Sequence, residues 1–519
     1  MTDSTRASSP ADPSADTSAV PPRHRGWSGL IWLLGVLAFA WLYGSLAGVL
    51  IRTTNQEPLA QDQKNNMRLA LQTRPDLHSG LQNGLVKKVT EWFPHRTDGV
   101  VAPLWPWVAA HFAGEGHEIT EENFGTHSIA DRHFFERGKW INVWICGAFL
   151  VGLALAVRRR FSLFGSLNLM LLAGLGALLP RAVYFQPEPL YFVLFFLCWV
   201  MACALITANS PPRYVLFGLL CGLAYLAKTS IQPLIAAWFG VMAYRFFALI
   251  LPGRLRCASE RWSACHHVIG TVLWAVAFLL TVGPRLDYAK KQWGQPFFAY
   301  PNVWMWMDSF DTGFQWMQQH PDAASLKAVP PDEMPSLANY RRTHTPQQMQ
   351  DRLADGVWEK THTFLAPKRA GGPTSVSPQK PWRHLLEFRG HYLGAAALLT
   401  LVVWLMTSRR TLPGDKPVSA PQDGPILLFG AGVIVASTLA YGWYSPIGRG
   451  DRFMLSLYLP LAYGLIAAAE RRLSRYEATY AHTQWPRRLY RFGQFALFVA
   501  LAARVAQLVH APFFDPDVR

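Results

Sequence analysis

From Gly29 onward the chain alternates long apolar runs with short polar segments dense in Lys and Arg. The runs are Gly29–Ile51, Trp140–Val157, Ser162–Leu179, Leu190–Thr207, Tyr214–Ala227, Leu234–Leu251, Val268–Val282, Tyr392–Met406, Ile426–Tyr441, Phe453–Ala469 and Phe492–Val509. A run of roughly 20 apolar residues crosses a bilayer as a helix, because a helix satisfies its backbone groups internally where no water can. The pattern therefore predicts an all-α polytopic membrane protein of about eleven transmembrane helices.

Composition agrees with the pattern. The 519 residues are 51% hydrophobic and only 16% charged, and the charges gather between the apolar runs. Lys and Arg outnumber Asp and Glu by 49 to 33, a bias that in a soluble chain would suggest nucleic acid. Here the basic residues sit at the ends of apolar runs, where cytoplasmic retention needs them, so no nucleic-acid partner is expected. Arg23 and Arg25 precede the first run; Arg158 to Arg160 follow the second, Arg213 the fourth and Arg254, Arg256 and Arg261 the sixth. Arg409, Arg410 and Lys416 follow the eighth, and Arg471, Arg472, Arg475, Arg487, Arg488 and Arg491 the tenth. This alternation puts the N-terminus in the cytoplasm and the odd-numbered exits outside, in a multi-pass protein of the cell (inner or plasma) membrane.

Four regions follow. Residues 1–26, rich in Ser, Pro, Ala and Asp, have too little apolar area to offset ordering entropy and are expected to be a disordered cytoplasmic tail. Residues 27–284 form a transmembrane core that includes a long extracytoplasmic loop, 52–139. A second extracytoplasmic region spans 285–391, and residues 392–519 carry the last helices. The first loop has a helical stretch near Gln61 to Leu71, and a Pro/Trp-rich stretch, Phe93 to Trp107, that is expected to lie on the membrane surface. Of the six cysteines, Cys146, Cys198, Cys203 and Cys221 fall in apolar runs, and Cys257 and Cys265 in a cytoplasmic loop with His266 and His267. That spacing lacks a paired zinc-binding element, and no disulfide framework is implied.

The outer face collects the residues with chemical potential. Asp62 follows the first run, where a carboxylate can bind a metal, take a proton from a hydroxyl, or simply stabilise the first turn of a helix. Glu188, in Gln186-Pro187-Glu188-Pro189, stands just before the fourth run, where an acid is costly unless solvated or paired. Lys228 ends the fifth run, and Arg449 and Arg452 lie before the tenth. Cations there run against the retention bias. They suit a lipid phosphate through charge-assisted hydrogen bonds, or else they snorkel to headgroups or pair locally, as Arg452 with Asp451. No Walker A sequence, no GxGxxG opening a soluble α/β unit and no GxSxG elbow is present, which removes support for nucleotide-driven chemistry.

Taken in order, these fragments resemble the GT-C superfamily of membrane glycosyltransferases, in particular the branch of the protein O-mannosyltransferases and the lipid A aminoarabinose transferase. The resemblance rests on Asp62-Gln63 after the first run, Pro103-Leu104-Trp105-Pro106, Pro187-Glu188 and Gly222-Leu223-Ala224 with Lys228. Gly294-Gln295-Pro296-Phe297, Trp306-Met307-Asp308 and the late outer arginines Arg449 and Arg452 continue it. It implies a GT-C-like bundle that transfers a sugar from a polyprenyl-phosphate donor to an extracytoplasmic glycan, lipid or protein acceptor. On that basis Asp62 acts as general base or metal-binding acid, Glu188 shapes the site, and Lys228, Arg449 and Arg452 hold the donor phosphate. A divalent metal ion is a possible cofactor, with Asp62 its ligand. The competing expectation is a transporter or flippase of a lipid-linked or small polar substrate, whose polar residues would lie in mid-membrane. A non-catalytic scaffold that binds a partner through the Trp-rich stretch Phe297 to Trp316 has no use for the acids and outer cations together.

Overall fold

The computed structural model describes residues 26–53, 62–79, 93–112, 129–208, 210–250, 258–365, 382–408, 423–448, 451–480 and 484–509. Among them the regular structure is entirely helical. The N-terminal tail to Arg25, Cys257 and Arg449 lie outside the described residues.

Each of the eleven apolar runs falls on a helix. Eight of these helices are long and apolar enough to cross a membrane: Gly29–Thr53, His133–Val157, Leu163–Ala182, Glu188–Thr207, His266–Trp293, Arg389–Ser408, Asp423–Trp443 and Trp485–Leu508. The protein is thus an all-α, multi-pass membrane protein. The other three runs fall on the short Pro211–Ala227 helix, on Gln232–Tyr244 with its π-helical continuation Arg245–Ile250, and on Tyr458–Thr479, whose second half is charged.

The helices overrun the apolar segments that predict them. One helix runs from Ala258 to Trp293, past the expected loop start at Arg285, and another starts at Trp382, before the expected end at His391. Hydropathy marks only the part of a helix that sits in hydrocarbon, while the hydrogen-bond ladder continues into water. Between these two lie five shorter helices, the longest Pro346–Leu365. Within the Pro/Trp-rich stretch one indole packs inside the protein. Trp105 is fully buried and sits edge-on to Phe185, in a small separate core with Met67, Ala109, Phe134 and Phe135. The Gln63–Ser79 and Leu104–Phe112 helices contribute apolar faces that bury this indole within the protein.

Small residues set a close helix approach. Gly218 and Gly222, one turn apart on Pro211–Ala227, face the long Ala258–Trp293 helix. A Cβ on Gly218 would lie 2.4 Å from the carbonyl oxygen of Trp274, and one on Gly222 2.6 Å from Thr281 Cβ. Close backbone approach is how helices associate in lipid, where apolar burial gives no preference for protein over acyl chain. Gly218→Val is expected to force the pair apart at a cost of about 1–3 kcal/mol, visible as a lowered melting temperature in detergent micelles. An unchanged melting temperature would show that this contact is not tight. Because Lys228 directly follows the same helix, the packing also sets where that lysine stands.

Candidate functional site

Asp62 immediately precedes the Gln63–Ser79 helix, and its backbone carbonyl accepts from Asn66 N at 3.1 Å and Asn66 Nδ2 at 2.7 Å. Its carboxylate turns away from the helix to receive Arg452 Nη1, 390 positions along the chain. Asp62 is therefore more than a helix-start acid. Gln63 Oε1 accepts from Phe185 N at 2.9 Å, and Asn142 Nδ2 donates to the carbonyls of Tyr184 and Gln186 at 3.0 and 2.9 Å. These contacts fix the turn that leads into the Glu188–Thr207 helix, so Glu188 is delivered beside Asp62.

Glu188 is buried, only 3% exposed. Its Oε1 accepts from Lys228 Nζ at 2.9 Å and lies 3.9 Å from Arg452 Nη1. The second oxygen, Oε2, has no hydrogen-bond partner among the described residues. Lys228 leaves its helix in an extended conformation (φ −164°, ψ 128°), which swings the side chain across to Glu188. Lys228 Nζ and the Arg452 guanidinium both stand against the Phe453 ring, 4.9 and 5.1 Å from its centre, a cation–π arrangement that supports charge in a partly dry place. Burial lowers the pKa of Lys228 and Arg452 adds to that, with Glu188 opposing. For Arg452 burial also disfavours the charge, but Asp62 and Glu188 more than offset it and raise the pKa.

Four of the five residues singled out in the sequence thus form one network of two acids and two cations, while Arg449 lies outside the described residues. Arg452 meets Asp62 across the chain, while the expected local pairing with Asp451 rests on a side chain outside the described ones. The network lines a cavity of about 300 Å³. Trp304, Met305, Phe310, Phe314 and Met317 give that cavity an apolar share of its lining, and the Phe310 and Phe314 rings stack 6.1 Å apart. The cavity floor includes the turn 97–102. There Asp98 Oδ1 accepts from Val100 N and Val101 N at 2.9 and 2.7 Å, Gly99 takes a positive φ of 84°, and the Gly99 carbonyl receives Tyr300 N at 2.9 Å.

Sequence reasoning missed three buried supports. Arg285 lines the cavity and donates to the carbonyls of Pro296 and Phe298 at 3.1 and 2.8 Å, fastening the start of the aromatic segment. Lys360, 1% exposed, donates to the Gly448 carbonyl just before the arginine-bearing turn. Asn142 holds the approach to Glu188. Only Arg285 carries a local signal, a cation at the end of an apolar run. The Trp306-Met307-Asp308 segment serves elsewhere: Asp308 accepts from Tyr340 Oη at 2.9 Å and meets His344 and Arg352 at 3.2 Å, outside the cavity lining. Among the described residues, no group of three or more His, Cys, Asp or Glu side chains is placed to hold a metal ion.

No protein-family model matches the chain, and no curated protein matches it. Two solved structures of the oligosaccharyltransferase of Archaeoglobus fulgidus align with it. The one tethered to an acceptor peptide containing the NVT sequon is 12% identical with a TM-score of 0.41, over 93% of this chain and 54% of that one. The apo form is 13% identical with a TM-score of 0.38, over 93% of this chain and 55% of that one. The chain spans about half the length of that enzyme.

Proposed function

We propose that the protein is a GT-C-type membrane glycosyltransferase that moves a sugar from a polyprenyl-phosphate donor to an acceptor on the extracytoplasmic face. The observation that carries this reading is the network of Asp62, Glu188, Lys228 and Arg452 in the lining of a cavity that also presents Trp304, Phe310, Phe314 and Met317. A lipid-linked sugar phosphate is itself half anion and half hydrocarbon, and so suits a lining that offers both cations and apolar rings.

Lys228 and Arg452 hold the donor phosphate and stabilise the charge that grows on its bridging oxygen as the glycosidic bond breaks. The acceptor hydroxyl attacks the anomeric carbon, its proton passes to the Asp62 carboxylate, and the bonding pair leaves with the polyprenyl phosphate. A phosphate that draws Arg452 to itself also releases Asp62 to act as that base. Glu188 keeps Lys228 aimed at the cavity, and its unpartnered Oε2 accepts a sugar or acceptor hydroxyl. Arg449, three positions before Arg452 in the sequence, joins the phosphate-binding set. The basic flanks read from the sequence put the N-terminus in the cytoplasm, the network on the outer surface of the cell membrane, and lipid headgroups against the arginine-rich exits. The acids and cations lie together at helix ends and not in mid-span, which separates this reading from a transporter or flippase.

Expression of the chain is expected to add labelled sugar to envelope acceptors from a polyprenyl-phosphate donor. Movement of intact donor across sealed vesicles, with no glycosidic bond broken, would overturn the reading in favour of transport. The pH profile carries a second signature. Deprotonation of Lys228 removes a positive charge, and because burial lowers its pKa that loss occurs below the ordinary lysine range. Transfer should therefore fall on the alkaline side before an exposed lysine titrates, mainly as a rise in donor KM. In Lys228→Arg, whose guanidinium stays charged, that alkaline fall should move upward; a profile unchanged by Lys228→Arg would exclude Lys228 as the titrating group.

A further inference from the structure

A divalent cation is a natural candidate to neutralise a leaving phosphate, and Asp62 and Glu188 are the acids that would hold it. The geometry around them does not fit such an ion. Asp62 Oδ2 is engaged by Arg452 Nη1, and Glu188 Oε1 by Lys228 Nζ at 2.9 Å with Arg452 Nη1 a further 3.9 Å away. Magnesium asks for octahedral oxygen ligands at about 2.0–2.1 Å, and calcium for six to eight oxygens at about 2.3–2.6 Å. Here the carboxylate oxygens that face one another already point at two fixed positive charges. A third cation brought between them would be repelled by both, and repulsion grows with the product of the charges. Glu188 Oε2 has no partner among the described residues and Asp62 meets Arg452 through Oδ2, so two carboxylate oxygens are left over, far short of the six or more that such ions take. Water reaches the Asp62 carboxylate, whose side chain is 48% exposed, but not that of Glu188, at 4%, so it does not join the two acids around one ion.

We propose that Lys228 and Arg452 occupy the place of a divalent metal between Asp62 and Glu188, so that the site carries its phosphate-neutralising charge on its own side chains and binds no divalent ion. The inference rests on the glycosyl-transfer reading for the purpose of that charge. It predicts that phosphate recognition depends on side-chain cations and not on the metal content of the medium.

The test is Mn²⁺ binding to the full-length purified protein in detergent, read by electron paramagnetic resonance with melting temperature alongside. No donor is needed, so failure of this inference and failure of the glycosyltransferase reading are told apart. The wild type is expected to leave the free Mn²⁺ signal intact at micromolar ion and to keep its melting temperature with Mn²⁺ or a chelator. Lys228→Met is expected to bind Mn²⁺ about tenfold or more tightly than wild type, because one repelling charge is gone and Glu188 Oε1 is released. Adding Glu188→Gln should erase that gain. If Lys228→Met does not fold, Arg452→Gln, which frees Asp62, replaces it. Stoichiometric Mn²⁺ binding by the wild type that Glu188→Gln abolishes would overturn the proposal. So would a substituted protein that still binds none, since the cations would then not be what keeps the ion out.

Discussion

Lys228→Met is expected to lower stability and transfer together, and Lys228→Met combined with Glu188→Gln is expected to recover the first without the second. The single change leaves a buried carboxylate with Arg452 at 3.9 Å as its nearest cation. Stranding one member of a buried pair typically costs about 3–5 kcal/mol, mostly from the charge left unpaired. Transfer should fall by about 10²–10³-fold, the usual effect of deleting one donor that faces developing negative charge. The double variant removes the stranded charge, so its melting temperature should return toward wild type while transfer stays low. A purely structural salt bridge would behave differently: transfer per folded molecule would recover along with stability.

Arg452→Gln separates the two roles from the other direction. Arg452 and Asp62 are more open, with side chains 28% and 48% exposed, and a pair in that setting is worth about 0–1 kcal/mol. The variant should fold almost as well as wild type, yet lose about 10²–10³-fold in transfer because the phosphate loses its guanidinium. Arg452→Lys keeps the charge but not the planar fork, and should fall between the two. Thermal unfolding and initial-rate assays on the same preparations check both. Loss of transfer proportional to loss of folded protein would mean that Arg452 only braces the turn.

Much of the architecture was legible because hydrocarbon imposes a simple rule on sequence. Every apolar run lies on a helix. Helix ends were not legible, since the chain continues its hydrogen-bond ladder past the apolar segment, as at Arg285 and Trp382. Within the Pro/Trp-rich stretch, the burial of one indole was hidden for a related reason. Trp105 suits a membrane interface by composition, and only the neighbouring faces of Phe134, Phe135 and Phe185 reveal that it is buried in protein.

At the site, Asp62, Glu188, Lys228 and Arg452 stood out as charges at positions where charge is costly or against the topological bias. Their mutual pairing was beyond a sequence reading, because Asp62 finds Arg452 across 390 positions. The supports were hidden for the same reason. Gln63 reaches Phe185 over 122 positions and Lys360 reaches Gly448 over 88, and neither follows a local period or motif. Lys360 sits on a helix that reads as an ordinary water-exposed one until its partner is seen.

The most direct measurement is transfer of labelled sugar from polyprenyl-phosphate donors to endogenous envelope acceptors, in membranes holding the wild-type chain or Asp62→Ala at matched expression. Transfer that appears with the wild type and disappears with Asp62→Ala is the predicted result. Transfer that survives the change would contradict the role of Asp62 as the base and reduce it to the partner that parks Arg452. Absence of transfer from every such donor would contradict the glycosyltransferase account itself.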